Sequence, residues 1–195
     1  MTELDVINDA LATLGEVPLN EVDEDHPFVA GIRRTFRAEN QKVQAISWWF
    51  NLEKITLFPD AVSKFIYVPM DTIRCDPIKK QPDMMTVQRG RRLYDTDRNT
   101  YEFDRSVECL LVREVPFEDL PPSAQVVISL ATARKFQQSY DADGLKANQI
   151  EMDYRESMAR LKAEHTRNTK SNFLSNPITM RELNRIGGGI MRRGY

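Results

Sequence analysis

The chain has 195 residues, of which 41% are hydrophobic and 29% are charged, proportions typical of a globular protein with a single core. No apolar run reaches the roughly 20 residues of a membrane helix, and the start Met1–Asp5 lacks the basic residues and apolar segment of a signal peptide. We therefore expect one domain with an insertion, made and used without an export signal of its own.

The net charge of −2 is unevenly distributed along the chain. The stretch from Arg167 to Tyr195 contains six basic residues and one acid, Glu182, and carries +5, which leaves −7 on residues 1–166. An acidic body with a basic, glycine-containing tail favours a tail that binds a partner outside its own domain. A solvated tail without a partner has the same composition, so both interpretations stay open.

Two helices are predicted at the start of the chain. Thr2 and Asp5 have the spacing of a capping-box variant, and Gly15 follows the last apolar residue of that helix. The segment Asp25–Pro27 resembles a second helix start, because proline is tolerated at the first helical position. Its apolar spacing continues as far as Ile46.

Three consecutive aromatic residues mark a change of periodicity. Helical spacing up to Ile46 gives way to the alternation of a strand, and Trp48, Trp49 and Phe50 stand at the change. Large aromatic side chains contribute strongly to a core when they are buried. We predict that they form a structural joint between a helical layer and a β layer, with no chemistry of their own.

Helical spacing disappears between Phe50 and Val115, where proline and Asp-rich turns separate short apolar runs. The predicted strands are Phe50–Phe58, Phe65–Val68, Asp71–Cys75, Arg92–Asp95 and Val107–Val115. The polar and basic segment from Pro77 to Arg92 is predicted to be a hairpin loop.

Two further helices are predicted in the second half. Pro121 and Pro122 begin the third, whose stripe rich in small residues allows a close helix contact; it consists of Ala124, Val127, Ile128, Ala131 and Phe136. The fourth runs from about Leu145 to Arg167, and its pattern stops after Asn168. The predicted fold is α+β: a bundle of about four helices (residues 1–49 and 116–168), an inserted antiparallel β lobe (50–115) and an extended basic tail (169–195).

Sites for metal or cofactor chemistry are not evident. His26 and His165 stand alone on separate predicted helices, so no metal site is expected. Cys75 and Cys109 lie in separate strand-like segments and suit free thiols better than a disulfide. Nucleophile elbows and phosphate-binding loops are missing from the sequence, although a triad assembled in space stays possible.

Acidic pairs and basic segments leave two weaker functions open. Two carboxylates are enough for a glycosidase, and the candidate pairs near strand ends are Glu102 with Asp104 and Glu114 with Glu118. Solvated charges are the preferred explanation of these pairs, and carbohydrate hydrolysis is kept as a weak enzyme hypothesis. Direct nucleic-acid binding needs a basic face, whereas the body of this chain is acidic and repels phosphate at short range.

Several short motifs occur in an order that points to one known family. The first helix contains Ile7-Asn8-Asp9 with Leu14-Gly15-Glu16, and the later motifs are Trp48-Trp49-Phe50-Asn51, Ile55-Thr56-Leu57-Phe58-Pro59-Asp60, Leu93-Tyr94-Asp95 and Leu120-Pro121. In this order and spacing, the chain resembles the tail tubular protein A family of short-tailed, T7-like bacteriophages from about residue 4 to residue 165. Members of that family are head-to-tail adaptors, also called gatekeepers.

The resemblance implies a structural virion protein of the short tail, assembled in the host cytoplasm. It implies a ring of about twelve copies between the portal protein ring and the tail nozzle protein (tail tubular protein B type), around a channel through which DNA passes without specific binding. It also implies an α-helical bundle with a β insertion, and no catalytic residues, cofactor, metal or membrane. An adaptor with an added polysaccharide or peptidoglycan hydrolase activity is the alternative, and an unrelated binding module is a third interpretation.

Charge and composition suggest which residues meet each partner. The expected portal-binding residues are in the basic tail: Arg181, Arg185, Arg192, Arg193 and Tyr195. The expected nozzle-binding residues are in the basic loop of the β lobe: Lys79, Lys80, Arg89, Arg91 and Arg92.

Overall fold

The architecture comes from a computed structural model, which describes residues 1–78, 85–140 and 144–174. The described helices are α1 (Glu3–Leu14), α2 (Val29–Gln44), α3 (Pro122–Tyr140) and α4 (Gly144–Leu174), with a short 3₁₀ turn at Phe117–Asp119. The described strands are β1 (Leu52–Leu57), β2 (Thr72–Pro77), β3 (Thr86–Arg89), β4 (Arg92–Asp95) and β5 (Val107–Arg113). The α+β class predicted from the sequence is confirmed.

Helix α1 begins and ends as predicted. The Thr2 N–H donates to Asp5 Oδ2 at 2.7 Å, and the Asp5 N–H donates to Thr2 Oγ1 at 3.3 Å, which completes a capping box. At the other end Gly15 has φ +76°, and its N–H bonds back to carbonyls of the last turn. Glycine adopts this left-handed conformation without a Cβ penalty.

Both ends of α2 differ from the prediction. The helix begins at Val29, two residues after Pro27, because Phe28 closes a turn over His26 and places its ring against Phe136 at a centroid distance of 5.9 Å. It ends at Gln44 instead of Ile46, because the following turn reaches a positive φ of 75° at Ser47. A left-handed residue cannot continue a right-handed helix.

Helix α3 lies at the centre of the helical part and packs against α1, α2 and α4. Its predicted small-residue stripe is buried throughout, with Ala124, Val127, Ile128 and Ala131 inaccessible to solvent and Phe136 nearly so. Small side chains let the neighbouring helices approach the α3 backbone closely.

Helix α4 is longer than predicted and continues to Leu174. Residues 169–174, which were expected to be extended, are therefore helical. Polar side chains at this end bond to carbonyls one turn back: Thr166 to Lys162 at 2.9 Å and Thr169 to His165 at 2.7 Å. Such bonds let polar residues stay in a helix, so the loss of apolar periodicity was a wrong indicator of its end.

The β part contains a three-stranded antiparallel sheet, in the order β1-β5-β2, and the hairpin β3-β4. Its buried residues form a core distinct from the clusters of the helical part; they include Leu57, Ile66, Leu93, Phe103 and Leu111. The division of the chain into separate bundle, insertion and tail domains stays a prediction.

Two strand predictions were wrong. Residues 65–68 make only isolated bridges, Phe65 with Glu102 and Tyr67 with Arg92, and Thr86–Arg89, predicted as loop, is the strand β3. β3 lacks an apolar inner face because Gln88 occupies an inward position, where its Oε1 accepts a hydrogen bond from the Cys75 N–H at 2.8 Å. A hydrogen-bonded polar side chain thus takes the place of the expected hydrophobic one.

Candidate partner-binding surface

Arginine and aromatic side chains cover the outer face of the β3-β4 hairpin and the neighbouring chain. The Arg89 guanidinium carbon lies 3.6 Å from the centre of the Tyr94 ring, and that of Arg92 lies 4.4 Å from Tyr101 and 5.1 Å from Phe65. We name this group, together with the exposed Tyr67, the arginine–aromatic surface: Phe65, Tyr67, Arg89, Arg92, Tyr94 and Tyr101.

The pairing of the strands brings these residues to one face. Val87 pairs with Tyr94 and Arg89 pairs with Arg92, so their side chains alternate with the inward Gln88 and Leu93. A two-residue turn joins the strands, and its first residue, Gly90, has φ +59°, as a type II′ hairpin requires of glycine.

The basic groups of this surface and of the adjoining turn keep their charge available. Within the described residues, Arg89, Arg91 and Arg92 make no ion pair with an acid, and Arg91 is exposed in the turn. A guanidinium stacked on a ring still has N–H donors at its edges, and it is held in place at little entropic cost. The arrangement suits a carboxylate-bearing protein surface, because Arg and Tyr are enriched where interfaces bind most tightly.

The structure thus brings together three of the five residues predicted to bind the nozzle. Lys79 and Lys80 lie outside the described residues, as do all five residues predicted to bind the portal: Arg181, Arg185, Arg192, Arg193 and Tyr195. The four aromatic members of the surface were missed in the sequence. The signal that points to them is the alternation of Phe65 with Tyr67 beside a strand that carries Tyr94.

The predicted joint aromatics lie where the chain leaves the helical part. Trp48 is buried, and its Nε1 donates to the Val43 carbonyl at 2.8 Å. The rings of Trp48 and His165 meet edge to face at 5.6 Å, while Trp49 packs on Phe50 at 5.0 Å. His165 therefore contacts the indole of Trp48 from α4.

Two buried amides clamp the two crossings between the helical and β parts. Gln44 Nε2 donates to the Val115 carbonyl at 2.9 Å, and its Oε1 accepts from the Val115 N–H at 2.9 Å. Asn51 Nδ2 donates to the carbonyls of Gln44 at 2.9 Å and Arg113 at 3.1 Å, and its Oδ1 accepts from the Trp48 N–H at 2.9 Å. We name Gln44 and Asn51 the amide clamp.

A salt-bridged arginine on each of two strands adds to this junction. Arg74 on β2 donates to the Ser47 hydroxyl at 2.7 Å and to the Ala45 carbonyl at 3.3 Å. Arg113 on β5 pairs with Glu53 at 2.8 Å and Asp71 at 2.6 Å, and these carboxylates raise the pKa of the Arg113 guanidinium. Arg74 therefore ties β2 to the turn after α2, and Arg113 ties β5 to β1 and to the chain before β2.

The residues considered for catalysis lie apart from any enclosed site. Glu102 and Asp104 are both exposed, with Asp104 within 3.6 Å of Arg98, and Glu114 and Glu118 are also exposed. In the described part of the chain, no three His, Cys, Asp or Glu side chains cluster as metal ligands would.

The two cysteines are buried free thiols on neighbouring strands, as predicted. Cys75 pairs with Leu111, and Cys109 pairs with Pro77, so both thiols belong to the core of the β part. Contact with Cys109 and burial together raise the pKa of the Cys75 thiol. The Cys75 thiol is therefore a poor nucleophile in the folded protein.

Comparison with known proteins identifies the family. The family model described as tail tubular protein matches residues 4–171. A curated relative, the tail tubular protein A of Klebsiella phage KP34, is 30% identical over 172 residues, which cover 87% of this chain and 90% of the relative. The chain belongs to the tail tubular protein family. The resemblance found in the sequence is confirmed.

Membership of the tail tubular family applies to both parts of the structure. The matched residues take in α1, the β part, the amide clamp and nearly all of α4. The chain is therefore a structural protein of a bacteriophage tail, located in the virion. Among the residues that the structure describes, no helix combines the length and hydrophobicity needed to cross a membrane.

Proposed function

We propose that this tail tubular chain is a head-to-tail adaptor, forming a ring of about twelve copies between the portal protein ring and the tail nozzle. The observation that carries the proposal is the family match over residues 4–171. The two-part architecture supports it, because a chain whose ends differ in structure can meet two different partners. Assembly would take place in the host cytoplasm, and DNA would leave through the channel of the ring.

The mass of the purified chain, alone and mixed with its portal protein, tests the adaptor role. A 22.6 kDa monomer that joins the portal as a ring of about twelve copies is the expected result by native mass spectrometry. A chain that stays monomeric and ignores both portal and nozzle would contradict the proposal.

The nozzle contact is assigned to the β part. The arginine–aromatic surface supports this choice because its guanidinium groups, which make no ion pair in the described part of the chain, stand on a hairpin beside exposed tyrosine. Lys79 and Lys80, which precede β3 in the sequence, bring two further positive charges to the predicted nozzle-binding set. An acidic surface on the nozzle protein is the partner that this chemistry fits.

Charge reversal tests the nozzle contact. Arg91→Glu changes an exposed residue of the turn without disturbing packing, and Arg92→Glu changes a stacked one. Each is expected to weaken nozzle binding about tenfold or more, because attraction becomes repulsion. Arg105→Glu, at an exposed arginine outside the surface, is the matched control. Unchanged affinity in both test variants would refute the assignment.

The portal contact is assigned to the basic tail, through Arg181, Arg185, Arg192, Arg193 and Tyr195. The charge of +5 from Arg167 to Tyr195 against −7 on the remaining residues supports this. Deletion of residues 175–195 spares α4 and is expected to abolish portal attachment while the far-ultraviolet circular dichroism of the body is retained. A truncated chain with full portal affinity would contradict the assignment.

We propose that the chain acts without catalysis. The alternative, an added polysaccharide or peptidoglycan hydrolase activity, is tested by incubating the purified chain with capsule and cell-wall substrates. Turnover that disappears in Glu102→Gln or Asp104→Asn would establish the alternative. Unspecific DNA retention that falls steeply with salt would instead contradict passage of DNA without binding.

A further inference from the structure

An ordered turn at the far end of β1 presents apolar side chains to solvent. Val62 is 92% exposed and Phe58 is 72% exposed. The turn is held by the Asp60 carboxylate, which accepts from the N–H groups of Val62 at 3.1 Å and Ser63 at 2.8 Å and from the Ser63 hydroxyl at 2.9 Å. We name residues 58–64 the tip.

The tip is preorganised for a contact. Its backbone is fixed by hydrogen bonds within the turn, including the Lys64 N–H to the Asp60 carbonyl at 3.0 Å, so little further ordering is needed when a partner covers it. Two neighbouring, uncovered apolar side chains on a fixed backbone are typical of an interaction site. Hydrogen bonds to the charged carboxylate lower the pKa of Asp60, so this carboxylate is charged at neutral pH, while Lys64 at the end of the tip carries the opposite charge.

A groove elsewhere on the chain has the complementary character. It has a volume of about 470 Å³ and lies between the turn after α2 and one face of α4. Its apolar lining includes Ile46, which is 52% exposed, together with Tyr154 and Met158. Its charged lining consists of Glu151, Arg155 and Lys162. Glu151 pairs with Arg155 at 2.6 Å, whereas Lys162 has no ion pair within the described residues.

We propose that the tip of each copy lies in the groove of the next copy around the ring. Phe58 and Val62 would cover the apolar lining at Ile46, and Asp60 would face Lys162, the cation of the groove that has no ion pair within the described residues. A closed ring of identical chains needs two different, mutually complementary surfaces on each copy. The tip, with its exposed apolar side chains and the Asp60 carboxylate, and the groove, with its apolar lining and Lys162, meet that requirement. The inference rests on the proposed ring.

The contact fixes how the chain is oriented in the ring. Neighbouring copies are related by a rotation about the ring axis, which leaves the position of a residue along that axis unchanged. The tip of one copy and the groove of the next therefore lie at the same position along the axis, and so do the tip and the groove of a single copy. Within a chain the two are separated by β1, whose six residues span roughly 20 Å at the usual rise of a strand. β1 is therefore expected to run close to the plane of the ring.

Cross-linking between introduced cysteines tests the contact. The double variant Ile46→Cys with Val62→Cys is treated with a short bismaleimide after assembly on the portal, and each single variant is treated in parallel. Cys75 and Cys109 are buried and do not compete. The double variant is expected to give a ladder of covalent multimers up to the size of the ring, at least tenfold above either single variant.

Charge variants provide a second measurement. Val62→Asp and Ile46→Asp are each expected to weaken ring assembly at least tenfold, whereas Val17→Asp, at a residue that is 76% exposed after α1, leaves assembly unchanged. The Val62→Asp chain retains an intact groove, and the Ile46→Asp chain retains an intact tip. A mixture of the two variants can therefore form one tip-to-groove contact and should give a heterodimer and nothing larger. Recovery of that heterodimer by native mass spectrometry would support the contact.

The outcomes separate this inference from the function on which it rests. Rings that form while the double variant cross-links no more than the singles would overturn the tip-to-groove contact alone. Cross-linking of the Val62→Cys single variant would indicate a tip-to-tip contact and also overturn it. Intact Val62→Asp rings that lose only nozzle binding would assign the tip to the nozzle instead. A wild-type chain that forms no ring, alone or on the portal, would remove the proposed function as well.

Discussion

Replacement of Gln44 by leucine should destabilise the protein strongly, although the two side chains are similar in size. Gln44 is fully buried, and its amide satisfies both backbone groups of Val115. Gln44→Leu leaves that N–H and that carbonyl without a partner, and each unsatisfied group costs about 1–3 kcal/mol. We expect a loss of about 3 kcal/mol in the free energy of unfolding, a large share of the stability of a typical domain.

Urea denaturation followed by tryptophan fluorescence measures this loss, because Trp48 lies within the same junction. In a chain of this size, a loss of about 3 kcal/mol corresponds to a decrease in Tm of roughly 6–12 °C. Gln138→Leu, at an exposed position of α3, is the matched control and should change stability by less than about 0.5 kcal/mol. A Gln44→Leu variant as stable as the control would show that the amide does not hold the junction.

Three further predictions follow from local geometry. Gly15→Ala should cost about 1 kcal/mol in urea denaturation, because φ is +76° while no neighbouring atom lies within 4 Å of the added Cβ; an unchanged midpoint would refute the backbone argument. The N–H donors of Ser63 and Val62 lower the pKa of Asp60. The hydrogen bonds of the tip are therefore fully formed at pH values above the pKa of aspartate in the unfolded chain, and they are lost as the pH falls through the lower pKa of the folded protein. Asp60→Asn should remove this pH dependence from the NMR amide shifts of Val62 and Ser63. Cys75 and Cys109 should react with a thiol reagent only after denaturant is added, because both are buried; rapid reaction in buffer would indicate local opening of the sheet.

Local signals in the sequence were sufficient for both ends of α1 and for the start and the buried stripe of α3. A capping box at Thr2, a left-handed glycine at position 15 and proline at the start of α3 each act within a few residues, so their effect is visible without knowledge of the fold. The apolar stripe of α3 was equally clear, because its burial has the period of a helix.

The signals that failed depended on partners distant in sequence. β3 was missed because Gln88 bonds to the backbone of β2, a contact that no local pattern reveals. The arginine–aromatic surface was only half found, because Phe65 and Tyr101 meet Arg92 through pairings between separated segments. The end of α4 was misplaced because polar side chains there bond within the helix.

In the proposed ring, the amide clamp limits how the central channel can widen. The chain passes twice between its two parts, and Gln44 and Asn51 tie both passages to the same buried bonds. Bending one part against the other would break several of these bonds at once, which makes an internal hinge costly. Each subunit should therefore rotate as a rigid body, so a displacement of its β part also displaces its helical part. The bore of such a ring would change through rotation of whole subunits against their neighbours.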